Sequence, residues 1–457
     1  MNTSLAELKS KVNGSLIMPG DPNYDEARTI YNGMIDKKPA AIFKCKDTSD
    51  VVKAVEFAQK HNLEVSIKSG GHNGAGLALV ENGLVIDLSE MKGISVDPAT
   101  KTAVIEPGNV LRDVDKATHE YGLALPSGII GTTGIAGITL GGGLGYLSRK
   151  GGLTIDNLLE CKVVLANGEV VTANENENSD LFWALKGGGG NFGVVVSFKF
   201  KLIDVKNVYA GPMFWPLEKA KEVMEFYDAF TKDAPNDLYG FFAFLIVPPG
   251  DPFPEHLRNK NVCGVVWNYT GPIEKAEEVF KPIRAFGPPI LDFVQEIPMP
   301  ALNGMFDELY PPGMQWYWRA HYIKELTPEA IAANIEFGSK IPSIHSTTHL
   351  YPIDGRVHDF SNSDTAWGNR EARWSQVIVG VDPDPANADK VTKWCKGYFD
   401  ALTPYAMGGA YVNFMMEEGQ DRVKASYRGN YDRLAAIKAK YDPGNFFHIN
   451  QNIKPAG

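Results

Sequence analysis

Three glycine-rich runs constrain this chain more than any other feature: Ser69-Gly70-Gly71-His72, Gly141-Gly142-Gly143-Leu144-Gly145, and Gly187 to Gly190. Glycine lets backbone N–H groups approach a pyrophosphate without a Cβ in the way, although a single run of this kind also serves a tight turn. Gly188, Gly190 and Gly193 fit the spacing G-x-G-x-x-G. That stretch follows a helical pattern and precedes a strand, the reverse of the order in a Rossmann dinucleotide fold. A nicotinamide-dependent dehydrogenase is excluded on that context.

Around these runs the first 200 residues alternate helices and strands. Ser49 is placed to cap a helix through Asn62, with Val51, Val55 and Ala58 on one face. Leu63, Val65 and Ile67 alternate as a strand that breaks at Gly70. Residues 84–88 and 102–106 read as further strands. Asn109 opens a second helix with Leu111, Val114, Ala117 and Tyr121 as its apolar stripe, and Gly122 stops it. Asn167-Gly168 between 162–166 and 169–172 is a hairpin signal. Ser179 caps a short helix through Lys186, and 194–202 is a strand.

Beyond about residue 206 the character changes. Helices near 216–231, 272–285, 327–339 and 386–401 alternate with aromatic strands near 238–247, 261–269, 314–323, 345–352, 374–381 and 409–416. This predicts an antiparallel sheet with helices on one face. The segment from Tyr427 to Pro455 returns to helix and then coil that must pack back. A chain of 457 residues is too long for one ordinary core and predicts two domains.

Charge removes several classes of function. Lys+Arg 45 against Asp+Glu 55 gives a net charge of −10 with no basic run, which argues against nucleic acid and an anionic membrane surface. The four cysteines, Cys45, Cys161, Cys263 and Cys395, form no CxxC, so neither a disulfide framework nor a zinc site is indicated. With no signal-peptide pattern and no apolar run long enough for a membrane helix, the expected location is the cytoplasm.

The candidate chemistry lies on a few side chains. His72 follows a strand inside a glycine loop, beside the place a nucleotide cofactor would occupy. His345 and His349 are separated by a β-branched stretch, and four strand positions span about 13 Å, too far for one metal ion. No metal site is expected. Trp316, Trp318 and Tyr322 share one strand face and suit a core, while Tyr317, Arg319 and His321 share the other and suit a pocket wall.

The run Lys68-Ser69-Gly70-Gly71-His72-Asn73 resembles the histidyl-FAD motif of the berberine bridge enzyme-like branch of the vanillyl-alcohol oxidase superfamily. Ser127-Gly128 through Gly145-Tyr146 resembles that family's flavin loop, and Lys150 to Asn157 the segment after it. Asp180 to Ala184 with Gly187–Gly193 matches the next block. Tyr411-Val412-Asn413, Asn430 to Leu434, and Tyr441-Asp442-Pro443 through Ile453 match the C-terminal signature. The likeness spans nearly the whole chain and is weakest between about 206 and 364.

The resemblance implies an α+β, two-domain FAD-binding fold of the PCMH type. Residues 1–205 with 421–457 would form the FAD domain, and 206–420 an antiparallel-sheet substrate domain covered by helices. It implies FAD bonded covalently through His72, and cofactor contacts from Lys68 to Asn73 and Gly76. Further contacts fall at Gly128, Ile130, Gly131, Thr132, Thr133 and Gly137, and at Gly141, Gly142, Gly143, Gly145, Tyr146 and Asn157. The remaining ones are Gly193, Val194, Val195, Tyr411, Asn413 and Asn450.

Two departures from the family pattern matter. Many relatives carry a second flavin link from a cysteine where this chain has Ile130, and an alkyl side chain forms no thioether. Sugar-oxidising relatives often carry Y-x-N-Y, whose second tyrosine resembles a base; here the run is Tyr411-Val412-Asn413-Phe414, and phenylalanine has no proton to exchange. Tyr411 is therefore the first candidate for base or substrate anchor, followed by Gln376, Tyr317 and His349. The implied activity is hydride removal from an alcohol, sugar or hydroxylated metabolite, with O2 as electron acceptor. A dehydrogenase with another acceptor, an amine oxidase, and a flavin-binding module without turnover are the alternatives.

Overall fold

The computed structural model describes residues 12–457 together with Lys9. Three sheets carry the architecture. In the first, Ala41–Lys44, Leu84–Asp87 and Val65–Lys68 run parallel, with Ser15–Ile17 antiparallel on the outer edge. The second is antiparallel, in the order Ile94–Asp97, Thr102–Ile105, Val194–Lys201, Leu158–Val164, Val170–Asn174. Its last pair is the expected hairpin at Asn167-Gly168, and Gly168 takes φ +83°, which an L side chain resists.

The third sheet has eight strands and is antiparallel throughout. Its main path runs Leu291–Asp292, Asn207–Pro216, Asn261–Tyr269, Leu238–Ile246, Thr347–Pro352, Trp374–Asp382, Gln315–Ile323, and Gln295–Pro298 pairs with Asn207–Pro216. Side chains alternate across it. Phe242, Phe244, Trp267, Leu350 and Ile378 pack with Tyr227, Phe280, Ile331 and Tyr398 from helices Ala220–Asp233, Ala276–Ala285, Pro328–Gly338 and Ala388–Leu402. Phe241, Ala243, Trp316, Trp318, Val377 and Val379, on the opposite face, join the core shared with the second sheet and the C-terminal segment. One face of the large sheet is thus sealed by helices, and the other looks into the molecule.

Local capping differs from expectation at several places. The first long helix, Thr48–Lys60, is capped by Asp47, whose carboxylate accepts from the Asp50 N–H at 3.1 Å; Ser49 donates to that carboxylate instead of capping. Asn109 lies two residues before helix Leu111–His119, where the Asp113 carboxylate accepts from the Val110 N–H, and Tyr121 is exposed. Asn178, not Ser179, precedes helix Ser179–Leu185. Residues 409–416 are not a strand. Gly408 and Gly409 take φ +78° and +62°, which breaks extended backbone, and the chain makes one helical turn at Val412–Phe414.

The C-terminal segment closes back on the glycine loop near residue 190. Helix Tyr431–Tyr441 carries Lys438, wholly buried, whose Nζ donates to the carbonyls of Asn191 and Phe447 at 2.5 and 3.0 Å and pairs with Asp442 at 2.5 Å. A buried lysine is tolerated because all three of its donors are used.

Candidate active site

The helix-free face of the large sheet, the glycine loops and the C-terminal segment enclose a cavity of about 360 Å³. Among the described residues no Asp, Glu, Lys or Arg side chain lines it. Its polar groups are backbone, amides, hydroxyls, two indoles and two imidazoles.

Gly189, Gly190 and Asn191 line the cavity together with Phe447, Ile449, Asn450 and Gln451. The two segments are tied together: Asn450 Nδ2 donates to the Gly190 carbonyl at 3.1 Å, and Asn191 Oδ1 accepts from the Ile453 N–H at 2.9 Å. The backbones of Gly70 and Gly134 touch, and a Cβ on Gly70 would lie 2.5 Å from the Gly134 nitrogen. A Cβ on Gly137 or Gly190 would meet no protein atom within 4 Å. Both residues line the cavity, so their missing side chains leave room there.

His72 stands in the wall, stacked on Tyr31 with ring centroids 3.8 Å apart, its Nε2 2.9 Å from Thr132 Oγ1. Burial pushes its pKa down to about 3, a smaller contribution from Thr132 opposing this and Arg112 adding to it, so the imidazole is neutral at ordinary pH. Beyond it the wall is aromatic: Tyr310, Trp316 and Trp318 in edge and tilted contacts, then Tyr351 and Phe414 with centroids 5.8 Å apart.

Tyr411 lies 2% exposed, and its hydroxyl oxygen accepts from the Gly143 N–H at 2.8 Å and from Asn413 Nδ2 at 2.9 Å. Burial raises its pKa to about 12. With both lone pairs occupied, Tyr411 has only a proton to offer. His349 lines the cavity too, its Nδ1 2.7 Å from the Tyr351 hydroxyl, and burial lowers its pKa to about 3.

Two of the four expected catalytic residues lie elsewhere. Tyr317 and Gln376 are on the helix-covered face. Gln376 Nε2 donates to Asn334 Oδ1 at 2.6 Å, and the Tyr317 ring lies under Lys396 of helix Ala388–Leu402. The pocket-facing and core-facing sets on strand Gln315–Ile323 are exchanged relative to expectation. Trp316 and Trp318 line the cavity, while the His321 ring stacks on Phe399 of the helix layer. The strand alternates as predicted; aromatic content alone did not say which face was wet.

The expected cofactor contacts also divide. Ser69 to Asn73, Gly128, Ile130, Thr133, Gly137, Gly193, Val194, Val195, Asn413 and Asn450 line the cavity. Lys68 does not: its Nζ is held by the Ala27 carbonyl at 2.9 Å and by Asp87 at 3.3 Å. Gly76 packs against Ile35, and the Gly131 N–H donates to Asp307 at 2.8 Å. Thr132 reaches the cavity only through His72. The middle glycine run is a packing device: Cβ atoms on Gly141, Gly143 and Gly145 would strike Asn413, Thr154 and the Ser127 carbonyl, and Gly142 lies against Trp367. Tyr146 packs on Tyr239 and Phe241, and Asn157 caps the carbonyls of Gly151 and Leu153. Tyr31 and Tyr351 were missed. Nothing in their local sequence signals a site; they reach it from distant segments.

Comparison with known proteins gives this cavity its context. Residues 39–174 match the model of an FAD binding domain, and residues 410–454 that of berberine and berberine-like proteins. An FAD-linked oxidoreductase of Dictyostelium discoideum is 32% identical over 454 residues, covering 98% of this chain and 96% of its own. The chain belongs to the berberine bridge enzyme-like FAD-linked oxidoreductases. Among its relatives, the (R)-6-hydroxynicotine oxidase of Paenarthrobacter nicotinovorans is 30% identical over 474 residues, covering 100% of both chains. The crystal structure of 6-hydroxy-D-nicotine oxidase from Arthrobacter nicotinovorans superposes with a TM-score of 0.87 at 27% identity, over 97% of this chain and 98% of that one. The fold is accordingly the PCMH-type FAD-binding fold.

The cavity fits the cofactor of that family. Glycine loops line it, and the Cβ-free positions Gly137 and Gly190 open into it. Buried polar atoms in its wall, Asn450 Oδ1, the Tyr427 hydroxyl and the indole nitrogens of Trp316 and Trp318, lack protein partners. With no cationic side chain there, a pyrophosphate would rest on backbone N–H groups. Among the described residues no helix is long and apolar enough to cross a membrane.

Proposed function

We propose that this oxidoreductase is an oxidase carrying FAD on His72 alone, which takes hydride from a hydroxylated small molecule and passes the electrons to O2, yielding hydrogen peroxide. In this reading residues 1–205 with 421–457 form the FAD domain and 206–420 the substrate domain. The observation that carries it is His72: a neutral imidazole in the wall of the cavity, its Nε2 engaged by Thr132, which leaves Nδ1 to form the bond. When bound, FAD supplies the two-electron acceptor, while the protein supplies binding, orientation and shelter from water.

The chain's own residues define what the substrate can be. An uncharged, aromatic wall of Tyr310, Trp316, Trp318, Val377 and Val379 favours a neutral molecule, since an unpaired charge would be costly to bury there. Tyr411 offers one O–H donor to anchor a polar group. An amine is the second reading, favoured by the same lack of a carboxylate in the wall and by the kinship with a nicotine oxidase.

Acid precipitation tests the linkage. The yellow colour should stay with the pellet, and a digest should carry flavin on one peptide, the one containing His72. Free FAD in the supernatant overturns the covalent assignment, and a second flavinylated peptide overturns the single link. An anaerobic screen of alcohols, sugars and amines for flavin bleaching, with peroxide measured after air is admitted, tests the chemistry.

A further inference from the structure

The resemblance to sugar-oxidising relatives leaves a gap at Phe414, where they often have a base-like tyrosine. The structure fills the neighbourhood of that gap from another element. Tyr351, on strand Thr347–Pro352, faces the cavity with its ring centroid 5.8 Å from that of Phe414. Its hydroxyl lies 2.7 Å from Nδ1 of His349, two residues earlier on the same strand face. Phe241 packs against both rings and fixes their orientation.

We infer that Tyr351 and His349 together form the proton acceptor of this enzyme, with Tyr351 touching the substrate hydroxyl and His349 receiving the proton that Tyr351 gives up. The inference rests on the reading that the substrate is a hydroxylated small molecule oxidised by FAD.

Tyr411 and Thr347, which share the wall, are poorly suited to the task. Tyr411 has both lone pairs engaged by N–H donors and can only donate. Thr347 spends its hydroxyl on the Phe244 carbonyl at 2.8 Å, and no carboxylate or lysine is present. With the neutral His349 ring carrying its proton on Nε2, the Tyr351 phenol donates to Nδ1, and its oxygen keeps a lone pair free to accept from a substrate O–H. Burial favours the neutral forms of both groups, so the pair rests uncharged.

The step balances. The substrate O–H proton moves to the Tyr351 oxygen as the Tyr351 proton moves to His349 Nδ1. The C–O bond becomes C=O, and hydride leaves carbon for FAD, which takes both electrons. The positive charge gained by imidazole is matched by the hydride that would enter the cofactor, so the site as a whole gains no net charge.

Tyr351→Phe and His349→Gln separate the two roles. The probes are benzyl alcohol and toluene, titrated into oxidised holoenzyme and followed through the flavin absorbance, a reading that needs no turnover. Wild type should bind the alcohol more tightly than toluene. Tyr351→Phe should lose about tenfold of that preference, the scale of one hydrogen bond. His349→Gln, whose amide oxygen still accepts from Tyr351, should keep the preference within about threefold. Anaerobic flavin reduction by the fastest alcohol of a panel that includes benzyl alcohol should fall about 10²–10⁴-fold in both variants. Flavin content per protein and melting temperature, measured alongside, identify a variant that has simply failed to fold, in which case the other decides. The inference is overturned by a wild type with no preference for the alcohol, by Tyr351→Phe that retains it, or by unchanged reduction rates. A panel in which no alcohol bleaches wild type, while the binding preference holds, overturns the proposed substrate class and leaves the pair as a hydroxyl anchor only, which also refutes its role as proton acceptor.

Discussion

Tyr411 illustrates how one side chain's role depends on what touches its oxygen. Sequence put it first among candidate bases because Phe414 has lost its hydroxyl; the structure turns it into a donor, since Gly143 and Asn413 already occupy the oxygen. A base would cost about 10²–10⁴-fold in rate when removed, an anchoring donor closer to tenfold. Tyr411→Phe should therefore slow anaerobic flavin reduction by about tenfold, with flavin content unchanged. It should also lower the melting temperature, because the buried Gly143 N–H loses its acceptor at a cost of about 1–3 kcal/mol. Stopped-flow reduction and a thermal melt on the same preparation check both parts; a loss of 10³-fold would return Tyr411 to the role of base. The place of His72 and Ile130 in the cavity wall was legible because their neighbours in sequence are diagnostic. Tyr351 was not, because its chemistry comes from His349 and Phe414, and only the fold brings the three together.

At the scale of elements, glycines of one and the same loop, 127–146, looked alike in sequence and do different work. Gly137, near the start of helix Ile135–Gly141, opens into the cavity, whereas a Cβ on Gly145 would lie 1.9 Å from the Ser127 carbonyl oxygen. Gly137→Val should fold, because its Cβ meets no protein atom within 4 Å, yet fail to retain FAD. Gly145→Ala should be destabilised whether or not FAD is added, because backbone must move. Flavin-to-protein ratio and melting temperature of both variants distinguish them, and full flavin retention by Gly137→Val would place the cofactor elsewhere. The strand Asn207–Pro216 escaped sequence reading for a related reason. Its Gly211-Pro212 pair reads as a turn, yet in the sheet Gly211 sits beside the Phe293 carbonyl, in the break between strands Leu291–Asp292 and Gln295–Pro298. The four long helices and five aromatic strands of the large sheet were legible because their hydrophobic periods are strong. Which sheet face they cover is a tertiary fact, and the exchange of Tyr317 and Gln376 with Trp316 and Trp318 follows from it.

The whole molecule is held together where its segments meet, and one such junction titrates. His321 on strand Gln315–Ile323 is 1% exposed, with Nε2 donating to the Phe399 carbonyl at 3.0 Å and Nδ1 3.4 Å from an Arg422 guanidinium nitrogen. Phe399 belongs to the helix layer and Arg422 to the C-terminal segment, so the ring joins three parts of the chain. The charged groups around it are Arg319 and Arg422, both paired with the buried Glu418 at 3.2 and 3.3 Å. Burial, with the two arginines adding to it and the Phe399 carbonyl opposing it, lowers the His321 pKa to about 4 from an ordinary 6.5. The folded state therefore binds fewer protons than the unfolded state between these values. Stability is fully present above pH 6.5 and falls as pH drops toward 4, by on the order of 3 kcal/mol for this one group. His321→Gln keeps a donor for the Phe399 carbonyl and removes the titration. Melting temperatures measured from pH 8 to pH 4.5 should fall more steeply in wild type than in the variant, the two curves converging in slope above pH 7. Glu418 responds to the same field in both proteins, so the difference between the curves isolates His321. Parallel curves through the whole range would mean that protonation at this junction is absorbed without cost, against the geometry of two guanidinium groups beside the ring.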